Sequence, residues 1–348
     1  MAQPAPTPKT VFITGANGYI GSAVSRAFVR AGWQPYGLVR RPEAAGSLIA
    51  EEVIPIIGSI SKDATFLDAL FEHTKTVDVV VSCTEDIPFG AHYEALISQL
   101  RKLAETSNRN GVRPLVLFTS GCKDYGIMGV HGSPGLAPHT EESPLQPIKI
   151  LIERAESSVR IFEHKGLFDA AVIRPTPVFG YDSSYYGLAF ELATEAGRSK
   201  DGVLTLPFDF GTIVHGCHID DCGEAYVALA VHEDRDVVAG QSFNISASRY
   251  DTLATIAKAL EVEYGLKGVV SGPCEDDRVL SADVVLGYSQ WVGSEKIRKL
   301  TGWSDKRMLL SENLHVYRLA YEEAAKRGHQ GVLRVKARFD GVLAGSTI

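Results

Sequence analysis

Lys9-Thr10-Val11-Phe12-Ile13-Thr14-Gly15-Ala16-Asn17-Gly18-Tyr19-Ile20-Gly21 sets three glycines three residues apart, immediately after a short apolar run. Val11-Phe12-Ile13 has the unbroken apolar character of a strand buried on both faces. Residues 22–29 continue as a helical pattern in which Ala23, Ala27, Phe28 and Val29 are available for packing. The glycines therefore occupy a strand-to-helix turn. Gly15 permits the tight turn, Gly18 lets a phosphate approach the main chain, and Gly21 allows the helix to lie close to the sheet. The helix N-terminus adds unpaired N–H groups and a partial positive charge, so the segment reads as a cradle for a dinucleotide pyrophosphate. An ordinary tight turn is the competing reading.

The first half of the chain continues to alternate. Residues 34–39 and 53–57 read as strands, 66–71 and 93–106 as helices, the second ending near Gly111. This order implies a doubly wound parallel sheet of the Rossmann type. The second half is less regular. Residues 186–196 and 252–264 look helical, separated by strand-like runs at 203–206 and 241–245.

At this point the sequence resembles the short-chain dehydrogenase/reductase superfamily, in its extended and atypical NAD-dependent epimerase/dehydratase branch. The opening T-G-x-x-G-x-I-G carries the likeness. Further matches follow in family order: Asp78-Val79-Val80-Val81-Ser82-Cys83, Leu115-Val116-Leu117-Phe118-Thr119-Ser120-Gly121, Val172-Ile173-Arg174-Pro175-Thr176-Pro177-Val178-Phe179-Gly180, and His218-Ile219-Asp220-Asp221. The resemblance implies a Rossmann core over residues 10–180 and a mixed region over 181–326 that completes the sheet and forms a smaller C-terminal substrate-binding lobe. Residues 1–9 read as a disordered lead-in, without the basic region and apolar core of a signal peptide. Residues 327–348 stay unassigned.

Composition narrows the partners. A formal charge of -7 opposes nucleic-acid binding, and no apolar run approaches the ~20 residues of a membrane span. Cys83, Cys122, Cys217, Cys222 and Cys274 are an odd set without a C-x-x-C pair, which suits a reducing compartment. The spacing of Cys217, His218, Asp220 and Cys222 fits no usual zinc pattern, so no metal site is expected. The expectation is a cytoplasmic protein with a small-molecule substrate. The resemblance adds homodimerisation as a possibility.

The cofactor can be argued from the end of the second strand, Leu38-Val39-Arg40-Arg41-Pro42. An acidic residue there would bind the ribose hydroxyls of NAD. Two guanidiniums instead suit the 2′-phosphate of NADP(H); solvated surface arginines are the alternative. The resemblance places Asn17, Tyr19 and Ile20 in the glycine turn against the cofactor, Ser59 and Ile60 beside adenine, Ser82, Cys83 and Thr84 along the nicotinamide-side ribose, and Thr119 among the cofactor-binding residues. It places Pro175 and Val178 near the nicotinamide.

The chemistry departs from the family. Redox members use a Tyr proton donor four residues before a Lys, yet none of the thirteen tyrosines is followed by Lys at that spacing. Aligning Ala155-Glu156 with the family's Ala-Glu puts Ile148 and Ile152 at the Tyr and Lys positions. Lys149 lies about 100° around a helix from the expected face. Ser120 stands beside the family's serine position, either orienting substrate or bonding the strand end. The connection 121–147 is long enough to be functional and leaves the carboxyl end of the sheet. Within it His131 and His139 are candidate proton donors or exposed loop residues, with Lys123 and Tyr125 weaker candidates. The strand over residues 170–173 is expected to end where the following prolines stop its pairing. Arg174 could bind an anionic substrate but better suits an internal ion pair, and Asp221 suits a helix cap. Tyr181, Tyr185 and Tyr186 suggest an apolar or aromatic substrate or, equally, packing. These readings converge on an NADP-dependent oxidoreductase lacking the Tyr/Lys pair. A non-redox isomerase, dehydratase or cyclase, and a cofactor-sensing binding protein, remain the alternatives.

Overall fold

A computed structural model describes residues 8–61, 63–182, 184–273 and 282–343. Residues 1–7 of the lead-in, residues 344–348 of the tail and Cys274 lie outside the described residues. The chain builds β1 (Thr10–Thr14), α1 (Tyr19–Arg30), β2 (Gln34–Val39), α2 (Ala45–Ile49), β3 (Ile54–Ile57), α3 (Thr65–His73), β4 (Val79–Ser82), α4 (Phe89–Arg109), β5 (Leu115–Thr119), α5 (Ile152–Arg160) and β6 (Asp169–Pro175) in alternation. A strand from the second half, Ser242–Ile245, joins the free edge of β6. The result is a seven-stranded sheet in the order β3-β2-β1-β4-β5-β6 and then Ser242–Ile245, with every pairing parallel. The fold is a Rossmann-type doubly wound sheet, and its order reverses between β1 and β4, where the crevice at the carboxyl ends accepts ligands.

The apolar strands are buried because both sheet faces are covered. Val11, Ile13, Val79, Val81, Leu115 and Leu117 pack on one side against α1 and α7 (Ile219–Ala230). Phe12, Val80, Val116 and Val172 pack on the other against α3 and α4. A Cβ on Gly223 would stand 2.7 Å from the Ala23 carbonyl oxygen, so α7 crosses α1 only because that residue is glycine. A separate apolar core organises the C-terminal lobe around α6 (Gly187–Arg198), α8 (Leu253–Tyr264) and the helix Leu314–Lys326. Val332 and Val335 of the tail helix Gln330–Leu343 enter the same core.

Two local expectations are corrected. The strand expected to stop at Ile173 continues through Pro175. Ile173 bonds β5 through Ser120 N–H, whereas Thr176 N–H bonds Ile245 on the other side. Pro175 thus faces the flank where β5 has already ended, and its missing N–H loses no ladder bond. The cap of α7 is His218, not Asp221. The His218 Nδ1 accepts the Asp220 N–H at 3.1 Å, while Asp221 turns away to accept the Arg307 N–H at 3.0 Å. Among the described residues no helix is long and apolar enough to cross a membrane.

Candidate functional site: a dinucleotide cleft with an altered catalytic corner

The glycine turn is built so that only glycine fits. Gly15 has φ +64°, and a Cβ there would lie 3.0 Å from the Cys83 carbonyl oxygen. Added Cβ atoms on Gly18 and Gly21 would meet the Gly15 carbonyl oxygen at 2.9 and 2.2 Å. The Gly18 N–H closes the turn on Gly15 O at 2.7 Å. No side chain caps α1 and its first turn carries no acidic residue, so its N-terminal dipole faces the cleft unopposed. The residues present therefore fit a bound dinucleotide pyrophosphate.

Around the turn, Thr14 Oγ1 lies 3.0 Å from Thr84 Oγ1 and accepts the Cys83 N–H at 3.2 Å, stapling the ends of β1 and β4. Tyr19 spends its hydroxyl on the Gly180 carbonyl; burial, then the Asp182 charge, pushes that phenol upward. Its side chain thus ties the turn to the loop after β6, and Ile20 packs against the core beneath. Thr119 Oγ1 meets the Tyr226 hydroxyl at 2.8 Å and the Cys83 sulfur at 3.6 Å. Burial pushes the Cys83 thiol up to about 12, which makes it a packing group and not a nucleophile. Pro175 ends β6, and Val178 follows in a short parallel pairing with Cys217.

Beside the turn, past the end of β2, lies an open cleft of about 540 Å³. Asn17, Arg40, Arg41 and Ser59 line it, joined by Arg334 from the tail helix. Ile60 does not reach it: its side chain lies in the core with Phe66.

Just past the carboxyl end of β5, Ser120 donates to Asp124 Oδ2 at 2.5 Å. Asp124 is fully buried and accepts two further bonds from Arg154, at 2.7 and 3.1 Å. Arg174 Nε stands 3.5 Å away, which gives Arg174 the internal ion pair expected of it. Because the Ser120 proton is committed to a carboxylate, a ligand meets that hydroxyl as an acceptor. Local sequence gave no signal for Asp124 and Arg154, which lie 30 residues apart. Ile148 and Ile152, at the family's Tyr and Lys positions, are 40% and 41% exposed. Ile148 is extended and precedes a single 3₁₀ turn, so α5 starts only at Ile152.

The structure brings Ser120 and His131 into no contact. His131 Nδ1 lies 3.0 Å from the Tyr250 hydroxyl, and its N–H bonds Gly211 O. The connection 121–147 is an ordered strap, bonded through Met128 to Ser289 and through His139 to Trp291 and Gly293. His139 stacks on buried Tyr125, whose hydroxyl donates to Asn244 at 2.8 Å. Lys123 reaches Val284 and lies over the Tyr288 ring. Tyr181 and Tyr186 pack around the same pair of rings, Phe179 and His218. Tyr186 is buried against Phe179, and Tyr181 donates to Asp220 at 2.7 Å.

A family model for the NAD-dependent epimerase/dehydratase family matches residues 11–246, more than half of the chain. The chain belongs to the NAD-dependent epimerase/dehydratase family. Among solved structures, an NAD complex of dTDP-glucose 4,6-dehydratase from Bacillus anthracis matches with a TM-score of 0.68 at 16% identity, covering 91% of this chain and 98% of that one. UDP-glucose 4-epimerase from Thermotoga maritima with UDP-glucose matches at 0.67 and 17%, covering 91% and 99%. At these identities the likeness establishes the fold. An uncharacterized Schizosaccharomyces pombe protein is 28% identical over 193 residues, 54% of this chain. The match spans only 61% of that relative's length.

Proposed function

We propose that this family member is an NADP(H)-dependent oxidoreductase acting on a small apolar or aromatic metabolite. The observation that carries the cofactor choice is the pair Arg40 and Arg41 at the end of β2, on the cleft beside the glycine turn. Neither forms an ion pair among the described residues, and no carboxylate occupies the β2 end where NAD would need one. Bound there, the dinucleotide supplies reversible two-electron transfer.

The protein's own groups supply positioning. Ser120, held by Asp124, accepts a hydrogen bond from a substrate hydroxyl. Arg154, 15% exposed at the rim of the same cluster, offers a cation to a polar substituent. Exposed Ile148 and Ile152 support an apolar neighbour where the family's proton-moving pair would stand. That replacement also supports a second reading, a non-redox isomerisation, dehydration or cyclisation on the same scaffold.

The test is incubation of the purified protein with NADPH and a panel of metabolites, following cofactor absorbance and product masses together. Cofactor oxidation matched by product supports the first reading; product without oxidation selects the second. Joint Arg40→Ala and Arg41→Ala replacement is expected to weaken NADPH at least tenfold more than NADH in calorimetry. Equal loss of both would refute the 2′-phosphate role.

A further inference from the structure

We propose that Arg334, on the tail helix Gln330–Leu343, is a third phosphate-binding cation of the cleft, so that this helix closes the adenosine end over the 2′-phosphate. The inference rests on the NADP reading of Arg40 and Arg41.

The tail helix is fixed from the lobe side. Val332 and Val335 are buried in the lobe core, Lys336 pairs with Glu191 at 2.7 Å, and His329 lies 2.7 Å from Asp182. From that anchorage Arg334 reaches across to the Rossmann core and donates to the Asn17 carbonyl of the glycine turn at 3.1 Å. The lobe and the cofactor turn are thus joined by a residue 317 positions away in sequence. Arg334 lines the same cleft as Arg40 and Arg41.

The charge in this cleft is unbalanced. None of the three guanidiniums has an ion pair among the described residues, although arginines elsewhere pair repeatedly, as Arg298 does with Asp305 at 2.7 Å. Among the described residues that line the cleft the one carboxylate is Asp63, which accepts the Thr65 N–H at 3.0 Å and the Thr65 hydroxyl at 2.5 Å. Desolvation first, then Arg40 and Arg41 against a counteracting Asp182, lowers the Arg334 pKa. Three cations from two distant parts of the chain, brought together without an ion-pair partner among the described residues, suit a phosphate dianion bound through paired N–H donors.

The experiment titrates wild type, Arg334→Gln and Arg334→Lys with NADPH, NADH, 2′,5′-ADP and 5′-ADP by calorimetry. Arg334→Gln is expected to weaken NADPH and 2′,5′-ADP on the order of tenfold or more, leaving NADH and 5′-ADP within about twofold. Arg334→Lys, keeping charge but losing the fork, should fall between. Unchanged or tighter NADPH binding overturns the proposal, the second outcome showing the helix to be a plug. Equal loss for NADH and NADPH also overturns it, because the arginine would then serve the pyrophosphate or the helix position. A wild-type protein that does not prefer NADPH removes the underlying NADP reading instead, and shows this without any variant. Melting curves check folding; Arg334→Gln loses the bond to Asn17 O but no ion pair, so both variants should melt within about 4 °C of wild type.

Discussion

Asp124→Asn is the substitution that most directly tests the altered catalytic corner. The carboxylate is fully buried, accepts the Ser120 proton and two Arg154 bonds, and faces Arg174. Asparagine preserves shape but removes the charge and turns an amide donor toward one of its former donors. Arg174, 3% exposed at its side chain, has no other carboxylate partner among the described residues. Its remaining contacts are Ser158 Oγ at 3.3 Å and the Tyr125 ring at 5.5 Å. Breaking a buried ion pair from one side costs about 3–5 kcal/mol. Arg154 retains Glu85 at 3.9 Å, which favours the lower half of that range. Unfolding entropy of ~2.1 cal/mol/K per residue gives roughly 0.7 kcal/mol/K for a chain this long, so Tm should fall about 4–5.5 °C. Near-UV circular dichroism at pH 7 measures it. A fall of less than ~1 °C would mean that the cluster is solvated or relaxes freely, and the argument that Asp124 holds Ser120 in place would fail with it.

Two further perturbations probe the cradle and the lobe junction. Gly21→Ala puts a methyl 2.2 Å from Gly15 O, 2.8 Å from Gly15 C and 3.1 Å from Ala16 Cα, all main chain. Relief requires α1 to move off the turn, costing ~1–3 kcal/mol and lowering NADPH affinity about tenfold or more; calorimetry showing wild-type affinity would contradict the cradle. His215 donates from Nε2 to Ala247 O at 2.9 Å and accepts the Val292 N–H on Nδ1 at 3.1 Å, so protonation destroys an acceptor. Burial lowers this imidazole to about 4. The unfolded chain, titrating near 6.5, then binds the extra proton first. Stability from His215 is complete above pH ~6.5 and declines as pH falls toward 4, by up to ~1.4 kcal/mol per pH unit. Urea midpoints at pH 7 and 5 should show this fall, and His215→Gln should flatten it; an unchanged slope in the variant would assign the acid sensitivity elsewhere.

Much of the fold was legible because its signals are local. Val11-Phe12-Ile13 and Val79-Val80-Val81 are apolar without alternation, the pattern required by strands covered on both faces. The glycine turn was legible for the same reason, since every contact that demands glycine lies within it or on the adjoining strand end at Cys83. The strand through Pro175 was misread because proline's effect depends on which flank its nitrogen faces. The cap of α7 was misassigned because an imidazole nitrogen can accept as readily as a carboxylate.

The site divides along the same line. Ser120 stands at a strand end, so its place at the cleft follows from topology. Its function does not, because the partner that commits its proton is Asp124, itself held by arginines 30 and 50 residues away. His131 shows the converse. Its intrinsic pKa suits a proton donor, but chemistry without position selects nothing, and Tyr250, 119 residues later, fixes it in a different neighbourhood. The residues that set reactivity here are assembled across the sheet end, and the tail brings Arg334 to the glycine turn by burying Val332 and Val335 in another core. On the proposed function, a corner with an acceptor at Ser120 and apolar side chains at Ile148 and Ile152 holds a substrate hydroxyl without the Tyr/Lys pair to protonate it. The proposed function thus assigns cofactor binding to the glycine turn with Arg40 and Arg41 and substrate positioning to Ser120, different residues that are open to separate measurement.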